Sequence, residues 1–324
     1  MRKLLGLTIG ALALASLAIA APDHPAWSQA GRTIRVVISV PPGGSIDLLV
    51  RILADHISST KGQSIIVESR PGAGGIIAAE AVARAAPDGN TLLINNNGMI
   101  ISSILRKVNY DPQVGFEPIC YLVTTPQVIV VNSASPYRTL AELVDAARAK
   151  PAELSIASVG PNTTQHIGIE RFKRLAQADL TYVPYPGGSS TVNALLGGHV
   201  TSAVLNWSEF GEQLAAGKVR ALATMALQRI EPLPDLPTVS ESGYGDFETD
   251  VWFGLVAPAK TPKETVSQLI DWFSAALLAP QVKAKLTVQA LYPNPKCGAD
   301  FAAHIRRQSD LYTRLIRELN IKTE

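Results

Sequence analysis

Short apolar runs alternate with longer amphipathic stretches along most of this 324-residue chain. The apolar runs at 34–40 and 65–68 have the length of strands, and the stretches that follow them, 48–58 and 76–85, have the spacing of helices. The same alternation continues from a predicted strand at 128–131 to one at 221–225. Strands that alternate with helices form βαβ units, in which a parallel sheet carries helices on both faces. We therefore predict an α/β fold built on mainly parallel sheets.

Two glycine-containing turns lie where a predicted strand leads into a predicted helix. The first is Pro-Pro-Gly-Gly-Ser-Ile-Asp at 41–47, and the second occupies 158–166. The start of a helix carries free N–H groups and the positive end of the helix dipole, so each turn suits an anion. Ligands of α/β sheets bind at the carboxyl ends of the strands, where both turns fall. Two such turns far apart in sequence predict two lobes that hold one small anionic ligand.

A third candidate at a strand end is the run of three asparagines at 95–97, which Gly98 follows. Asn96 is predicted either to contact the ligand or to cap a turn. The sequence leaves both interpretations open.

Proline and glycine residues cluster between 230 and 245, which is typical of a connection between lobes. The simplest arrangement is discontinuous. Lobe one then comprises 31–127 and 236–324, lobe two comprises 128–235, and a hinge lies between them.

The N-terminus has the pattern of a secretory signal peptide. Arg2 and Lys3 precede an apolar run from 4 to 20, which ends in a small-x-small sequence. Cleavage is expected after residue 20, with an alternative after residue 30; a retained N-terminal anchor is the other interpretation. Removal of residues 1–20 takes two positive charges from a net charge of +2 and leaves zero. A neutral exported chain is not expected to bind nucleic acid, which needs a basic surface.

Cys120 and Cys297 form neither a metal-binding motif nor a reactive pair in the sequence. An oxidising compartment permits a disulfide between them; two separate buried thiols are the other interpretation. The five histidines are scattered, and no G-x-S-x-G, P-loop or H-E-x-x-H motif occurs. We therefore predict no enzymatic activity, no cofactor and no metal site.

Several short stretches together carry a resemblance to a known family. They are Pro-Pro-Gly-Gly at 41–44 with Asp47, Arg-Pro-Gly-Ala-Gly-Gly at 70–75, Pro-Asp-Gly at 87–89, Leu-Pro-Thr-Val at 236–239 and Trp-Phe-Gly-Leu at 252–255. In this order the chain resembles Bug-type extracytoplasmic solute receptors, the periplasmic binding components of tripartite tricarboxylate transporters. The resemblance implies a two-lobed, type II-like periplasmic-binding-protein fold that closes like a Venus flytrap. It also implies a monomer in the periplasm, a small carboxylate ligand and delivery to an integral-membrane permease.

Carried over onto this sequence, the resemblance implies a ligand site shared by both lobes. Its expected members are Gly43, Gly44 and Asp47 in lobe one, and Ser158, Thr163, Thr164 and His166 in lobe two. Each has a structural alternative: Asp47, for example, could simply cap its helix, and His166 could be a packed surface residue. Tyr185, at the end of a predicted strand, is expected either to line the cleft or to pack its loop.

Three departures from the family pattern bear on the ligand. Asn206 stands where many relatives have an aspartate, which suits a second carboxylate or a neutral end better than an ammonium group. Val40 stands where relatives often have phenylalanine, which would enlarge the pocket. Trp207, beside Asn206, is either core or a surface for the ligand. We therefore expect a dicarboxylic or aromatic acid rather than an amino acid; a periplasmic sensor for the same ligand, signalling to a membrane kinase, is the alternative function.

Overall fold

The structure is a computed structural model, and it describes residues 33–161, 163–245 and 247–321. The predicted signal peptide, with either cleavage point, lies outside these residues. Within them, no helix combines the length and the apolar character that a membrane crossing requires.

Strands and helices alternate through the described part of the chain, as the sequence pattern predicts. The strands are β1 Ile34–Ile38, β2 Ile65–Ser69, β3 Thr91–Asn96, β4 Phe116–Asn132, β5 Ser155–Val159, β6 Thr181–Tyr185, β7 Ser202–Asn206, β8 Val219–Thr224, β9 Asp250–Pro258 and β10 Tyr292–Cys297. The helices are α1 Ser45–Lys61, α2 Ile76–Ala83, α3 Asn97–Leu105, α4 Leu140–Ala149, α5 Thr164–Ala176, α6 Gly188–Leu196, α7 Trp207–Ala215, α8 Lys263–Leu278, α9 Pro280–Val288 and α10 Ala299–Glu318.

Two sheets share one long strand. The first sheet has the order β2-β1-β3-β9-β4-β10, and the second has the order β8-β4-β7-β5-β6. In the first sheet β1 is parallel to β2 and β3, while β9 is antiparallel to both β3 and β4. β4 therefore runs in the same direction as β3. In the second sheet β5, β6 and β7 are parallel, and β4 opposes β7 and β8. The α/β fold with mainly parallel sheets is confirmed.

The shared strand β4 was only partly predicted, because the sequence pattern indicated a strand over 128–131 alone. Its first part pairs with β9 as far as Pro126, and its second part pairs with β7 and β8 from Gln127 onward. The first part contains two prolines, which weaken a strand signal. Pro118 is tolerated because the register shifts there, as expected at a bulge.

Each sheet is covered on both faces, which places a core on either side of it. On the first sheet, α1 and α8 pack on one face and α2, α3 and α10 on the other. On the second sheet, α4 and α5 cover one face and α6 and α7 cover the other. Each of the strands β1, β3, β5 and β7 is therefore followed by a helix that packs on its sheet, after a glycine turn in the case of β1 and β5.

The segment between β8 and β9 packs on the second sheet for most of its length. The N–H of Val239 donates to the carbonyl of Thr224, and Val239 and Phe247 lie in the same core cluster as Phe172 of α5. Residues from 236 onward were predicted to belong to lobe one. The proline cluster marked where the chain turns, but only the apolar contacts decide which core the following residues join.

Cys120 and Cys297 are joined by a disulfide, so the bridged alternative holds. They are directly opposite each other in the pairing of β4 with β10, with their Cα atoms 4.0 Å apart. The strand β10 was not predicted, so the sequence analysis had no register from which to infer the bridge.

Candidate functional site

The first glycine turn is ordered by Asp47. Gly43 has φ +92°, a left-handed conformation that residues with a β-carbon rarely adopt. Its N–H donates to Asp47 Oδ2 at 3.0 Å, and Arg51 Nε donates to the same carboxylate at 3.0 Å. Burial opposes ionisation of Asp47, but the hydrogen bonds from Arg51 and Gly43 outweigh it and lower its pKa. Asp47 thus orders the glycine turn and does not cap the helix, whose N-cap is Gly44; its contact with a ligand stays a prediction.

The start of α1 carries no side-chain cap. Gly44 is the N-cap residue, and it has no side chain to accept from the first N–H groups of the helix. Val40 lies half-buried just before the turn and packs against the core of the first sheet. The turn therefore presents backbone donors beside a small apolar side chain.

Tyr182, which was not predicted as a site residue, is hydrogen-bonded to the second glycine turn. Ser158 is fully buried, and its hydroxyl donates to Tyr182 Oη at 3.1 Å, while the Tyr182 hydroxyl donates to the carbonyl of Gly160. The Tyr182 ring stacks on His166 with centroids 4.2 Å apart. A tyrosine in β6 gave no local signal for this role, because its partners come from β5 and α5.

Thr163 and Thr164 begin α5. Thr163 is the N-cap: its Oγ1 accepts from the N–H of His166 at 3.3 Å and its hydroxyl donates to the carbonyl of Gly160 at 3.2 Å. The side chain of Thr164 lies close enough to the hydroxyl of Tyr312 in α10 to affect the pKa of that tyrosine. Burial is the main cause that lowers the pKa of His166, so its imidazole is mostly neutral at pH 7.

The asparagines after β3 have separate roles. Asn96 caps α3, because its Oδ1 accepts from the N–H of Gly98 at 2.8 Å. The capping interpretation of Asn96 is confirmed, and its contact with a ligand stays a prediction. Asn97, the last residue of the asparagine run, donates to Tyr312 Oη at 2.7 Å and accepts from the N–H of Trp252 at 3.0 Å. Asn97 and Tyr312 thus connect the end of β3 to the start of α5.

Asn206 ends β7 and precedes α7. Its N–H donates to Glu209 Oε2 at 2.8 Å, and burial raises the pKa of Glu209 to about 7. Trp207 directs its indole N–H to the carbonyl of Val288 in α9 at 3.2 Å. Tyr185 ends β6, where its carbonyl accepts from the N–H of Gly160 and its ring is half-buried against the cluster under α6 and α7.

The two halves of the predicted site meet. The hydroxyls of Ser45, in the first glycine turn, and Ser208, in the first turn of α7, are hydrogen-bonded at 2.5 Å. Thr164 and Tyr312 make a second connection between the halves. The N-termini of α1, α5 and α7 are thereby brought to one region, between the carboxyl ends of β1, β5 and β7.

The arrangement suits hydrogen bonding to a small molecule more than metal binding. Backbone N–H groups, hydroxyls and amides are its polar groups, and such groups bind anions and polar organic molecules. Within 33–161, 163–245 and 247–321, no three His, Cys, Asp or Glu side chains are grouped closely enough to hold a metal ion.

Comparison with known proteins gives one family. The family model described as the tripartite tricarboxylate transporter family receptor matches residues 49–321. A protein of Cupriavidus necator, known from the 5′ region of gbd, is 36% identical over 301 residues, which are 90% of this chain and 91% of that protein. Protein BugT of Bordetella pertussis is 30% identical over 283 residues, 86% of each chain.

Two solved structures of Rhodopseudomonas palustris proteins have the same fold. Rpa4515, solved with adipate, is 30% identical with a TM-score of 0.86, and the match covers 91% of this chain and 99% of that one. MatC, solved with bound malate, is 30% identical with a TM-score of 0.80, and the match covers 88% of this chain and 99% of that one.

Proposed function

The chain belongs to the tripartite tricarboxylate transporter receptor family, and from that premise we propose that it is a periplasmic binding protein for a small organic carboxylate. The observation that carries the proposal is the contact between Ser45 and Ser208, which joins the first glycine turn to the region where β7 ends. The adipate and malate bound by two proteins of the same fold support a carboxylate as the ligand.

Backbone donors at the starts of α1 and α5 would hold the carboxylate. The N-cap of α1 is a glycine without a side chain, so the first N–H groups of that helix are available to an anion. A carboxylate held by neutral N–H and O–H donors needs no buried arginine, whose desolvation would have to be offset. Such a site can also release its ligand readily, which a transport receptor requires.

We propose a hinge at the two crossings of the chain between the sheets. One crossing is at 126–127 within β4, and the other is at 249–250, where β9 begins opposite Pro126. Lobe two would then extend from 127 to 249, since Phe247 packs in its core. The ligand would favour the closed arrangement by contacting both lobes, and the bond from Trp207 to the Val288 carbonyl would support closure.

The acid is proposed to be dicarboxylic or aromatic, and its destination the permease of a tripartite transporter. Asn206 has no charge with which to hold an ammonium group, which argues against an amino acid. Signalling to a membrane kinase is the alternative role, with the same ligand. The protein is proposed to act as a monomer without catalysis.

A thermal-shift screen of the mature protein against mono-, di- and tricarboxylates, aromatic acids and amino acids tests the binding function. A ligand that binds the folded state raises the unfolding temperature, and calorimetry should give one site per chain. No shift with any acid, including after unfolding and refolding to remove a co-purified ligand, would refute it. Loss of uptake of the identified acid on deletion of the gene, without loss of a transcriptional response, would favour transport over sensing.

A matched pair of glycine variants locates the site. Gly43 and Gly217 both have left-handed φ, and both have open space where a β-carbon would be. Alanine at either position should therefore destabilise the protein by about 1–2 kcal/mol. Only Gly43 is in the proposed site, since Gly217 follows the far end of α7. Gly43→Ala should weaken acid binding and Gly217→Ala should not; equal effects on binding would remove the first turn from the site.

A further inference from the structure

Helix α5 has two buried faces, although it covers only one sheet. Ile169, Phe172 and Ala176 are fully buried and pack in the core of the second sheet. Ile167 is 1% exposed, but it belongs to a core cluster of the first sheet, together with residues of α3 and α10. A helix that only covered the second sheet would turn its outer face to solvent. The outer face of α5 is instead packed against lobe one.

The residues of α5 that contact lobe one form a stripe along the helix. They are Thr164, Ile167 and Arg174, whose spacings of three and seven residues are repeats of the helix. Thr164 lies close enough to the hydroxyl of Tyr312 in α10 to affect the pKa of that tyrosine. Arg174 Nη1 donates to the carbonyl of Glu318 in α10 at 2.7 Å. The stripe therefore contacts α10 from the first turn of α5 to its last turn.

The partner of this stripe is the last part of α10. The helix begins on the first sheet, where its apolar residues are buried. Beyond its last turn, Leu319 and Ile321 pack against the cluster that contains Ile167. Because Tyr312 is near the start of α5 and Glu318 is near its last turn, the two helices run side by side in the same direction. The end of α10 thus lies on a helix of lobe two.

This contact differs in kind from the two crossings of the chain at 126–127 and 249–250. The crossings are covalent, so they persist at any angle between the lobes. The contact between α5 and α10 consists of apolar burial and hydrogen bonds, which a rotation of lobe two about the crossings would break. Separation of the lobes would expose Ile167 to water, and the loss of that burial disfavours the open arrangement.

We propose that residues 312–321 form a strap that holds the two lobes closed for most of the time, even without a ligand. This inference rests on the proposed hinge and goes beyond the proposed carboxylate binding. Ile167 and Arg174 are outside the proposed ligand site, so they act on binding only through the fraction of molecules that are closed. The apparent affinity is proportional to that fraction. The strap therefore raises the affinity for every acid by the same factor.

Two isoleucines of α5 provide a matched pair of variants. Ile167→Ala removes apolar atoms from the contact between the lobes, whereas Ile169→Ala removes the same atoms from the core of lobe two. Calorimetry should show that Ile167→Ala weakens the binding of every acid by the same factor, roughly tenfold. Ile169→Ala should leave binding within about threefold of the wild type and should cause the larger fall in the urea midpoint.

Two arginines of α5 provide a second pair, farther from the glycine turns. Both donate to a backbone carbonyl, but Arg174 crosses to Glu318 in α10, whereas Arg171 Nη1 donates at 3.1 Å to Glu248 within lobe two. Arg174→Gln should weaken acid binding by roughly two- to fivefold, because it removes one hydrogen bond of the strap. Arg171→Gln should change binding by less than about twofold.

Small-angle X-ray scattering of the ligand-free mature protein tests the strap without any acid. The wild type should have the radius of gyration of the closed structure, Ile167→Ala should have a larger radius, and Ile169→Ala should not. An open wild type, an unchanged radius for Ile167→Ala, or equal weakening of binding by both isoleucine variants would overturn the strap. Absence of binding by every acid, with the predicted difference in radius, would overturn the proposed function and leave the strap standing, so the two failures are distinct.

Discussion

Loss of the disulfide between Cys120 and Cys297 should destabilise the protein strongly without impairing ligand binding. The two cysteines are 177 residues apart in sequence, so the bridge closes a loop that contains the whole second sheet. In the folded protein the bond is not needed to hold the strands together, because β10 also pairs with β4 at Thr124 and Val123. The bond acts mainly by restricting the unfolded chain.

The expected loss in free energy of unfolding follows from the length of the loop that the disulfide closes. The chain-entropy relation gives about 5 kcal/mol at 25 °C for a loop of this separation. Removal of native disulfides costs roughly 2–5 kcal/mol in measured cases, and the long loop here places the expectation at the upper end. Cys120 is fully buried in the core of the first sheet, so alanine adds a small cavity cost at that position.

Urea unfolding measures the effect on three samples. They are the oxidised wild type, the reduced wild type and the double variant Cys120→Ala/Cys297→Ala. Reduction removes the bond without changing side-chain volume, so agreement between the reduced wild type and the double variant separates the bond from the cavity. Acid binding should stay within about threefold, because the bond joins β4 to β10 in the first sheet and neither cysteine is in the proposed site. Equal unfolding midpoints for the oxidised and reduced protein would refute the reasoning.

Three further perturbations have definite expected outcomes. Gly254→Ala places a β-carbon 2.2 Å from Cζ of the buried Phe301, so it should lower the free energy of unfolding, measured with urea, by about 1–3 kcal/mol. Adding Phe301→Leu should recover part of that loss. Absence of any recovery would contradict a local clash. Burial raises the pKa of Glu209 from 4.5 to about 7, so the stability that it contributes is complete below pH 4.5 and is lost as the pH rises through 7. Glu209→Gln should make the urea midpoint less dependent on pH between pH 5 and 8. An unchanged pH dependence would show that Glu209 is not its cause. Asp47→Asn should lower the free energy of unfolding by about 1 kcal/mol and weaken acid binding, because Asp47 orders the first glycine turn. Arg51→Gln should have little effect on stability or binding, since Arg51 is largely exposed. If the two variants weakened binding equally, the ordering role would belong to the ion pair.

Local features of the fold and site could be predicted from the sequence because they depend on neighbouring residues. The alternation of strands and helices follows from residue periodicity. The second turn was predicted over 158–166, but α5 begins within it at Thr164, because the Thr163 side chain caps the helix. The left-handed φ of Gly43 agrees with a glycine-dependent turn at 41–47. Asn96 was correctly considered as a cap for the same reason.

Contacts between distant segments could not be predicted in this way. Tyr182 reaches Ser158 and His166 only because β6 pairs with β5 in a particular register. Tyr312 meets Thr164 across 148 positions of the chain numbering, because α10 packs beside α3 and β9. Neither tyrosine has a neighbour in sequence that indicates its role.

The sequence by itself determined the class of fold and the position of the two glycine turns, because backbone conformation and amphipathic period are set over a few residues. The tertiary structure alone decided that β4 belongs to both sheets, that Cys120 faces Cys297, and that Gln127 lies beside Asn206. Those outcomes depend on which strands pair and in which register. Pairing energy comes from side chains that are far apart along the chain, so a local pattern does not contain it.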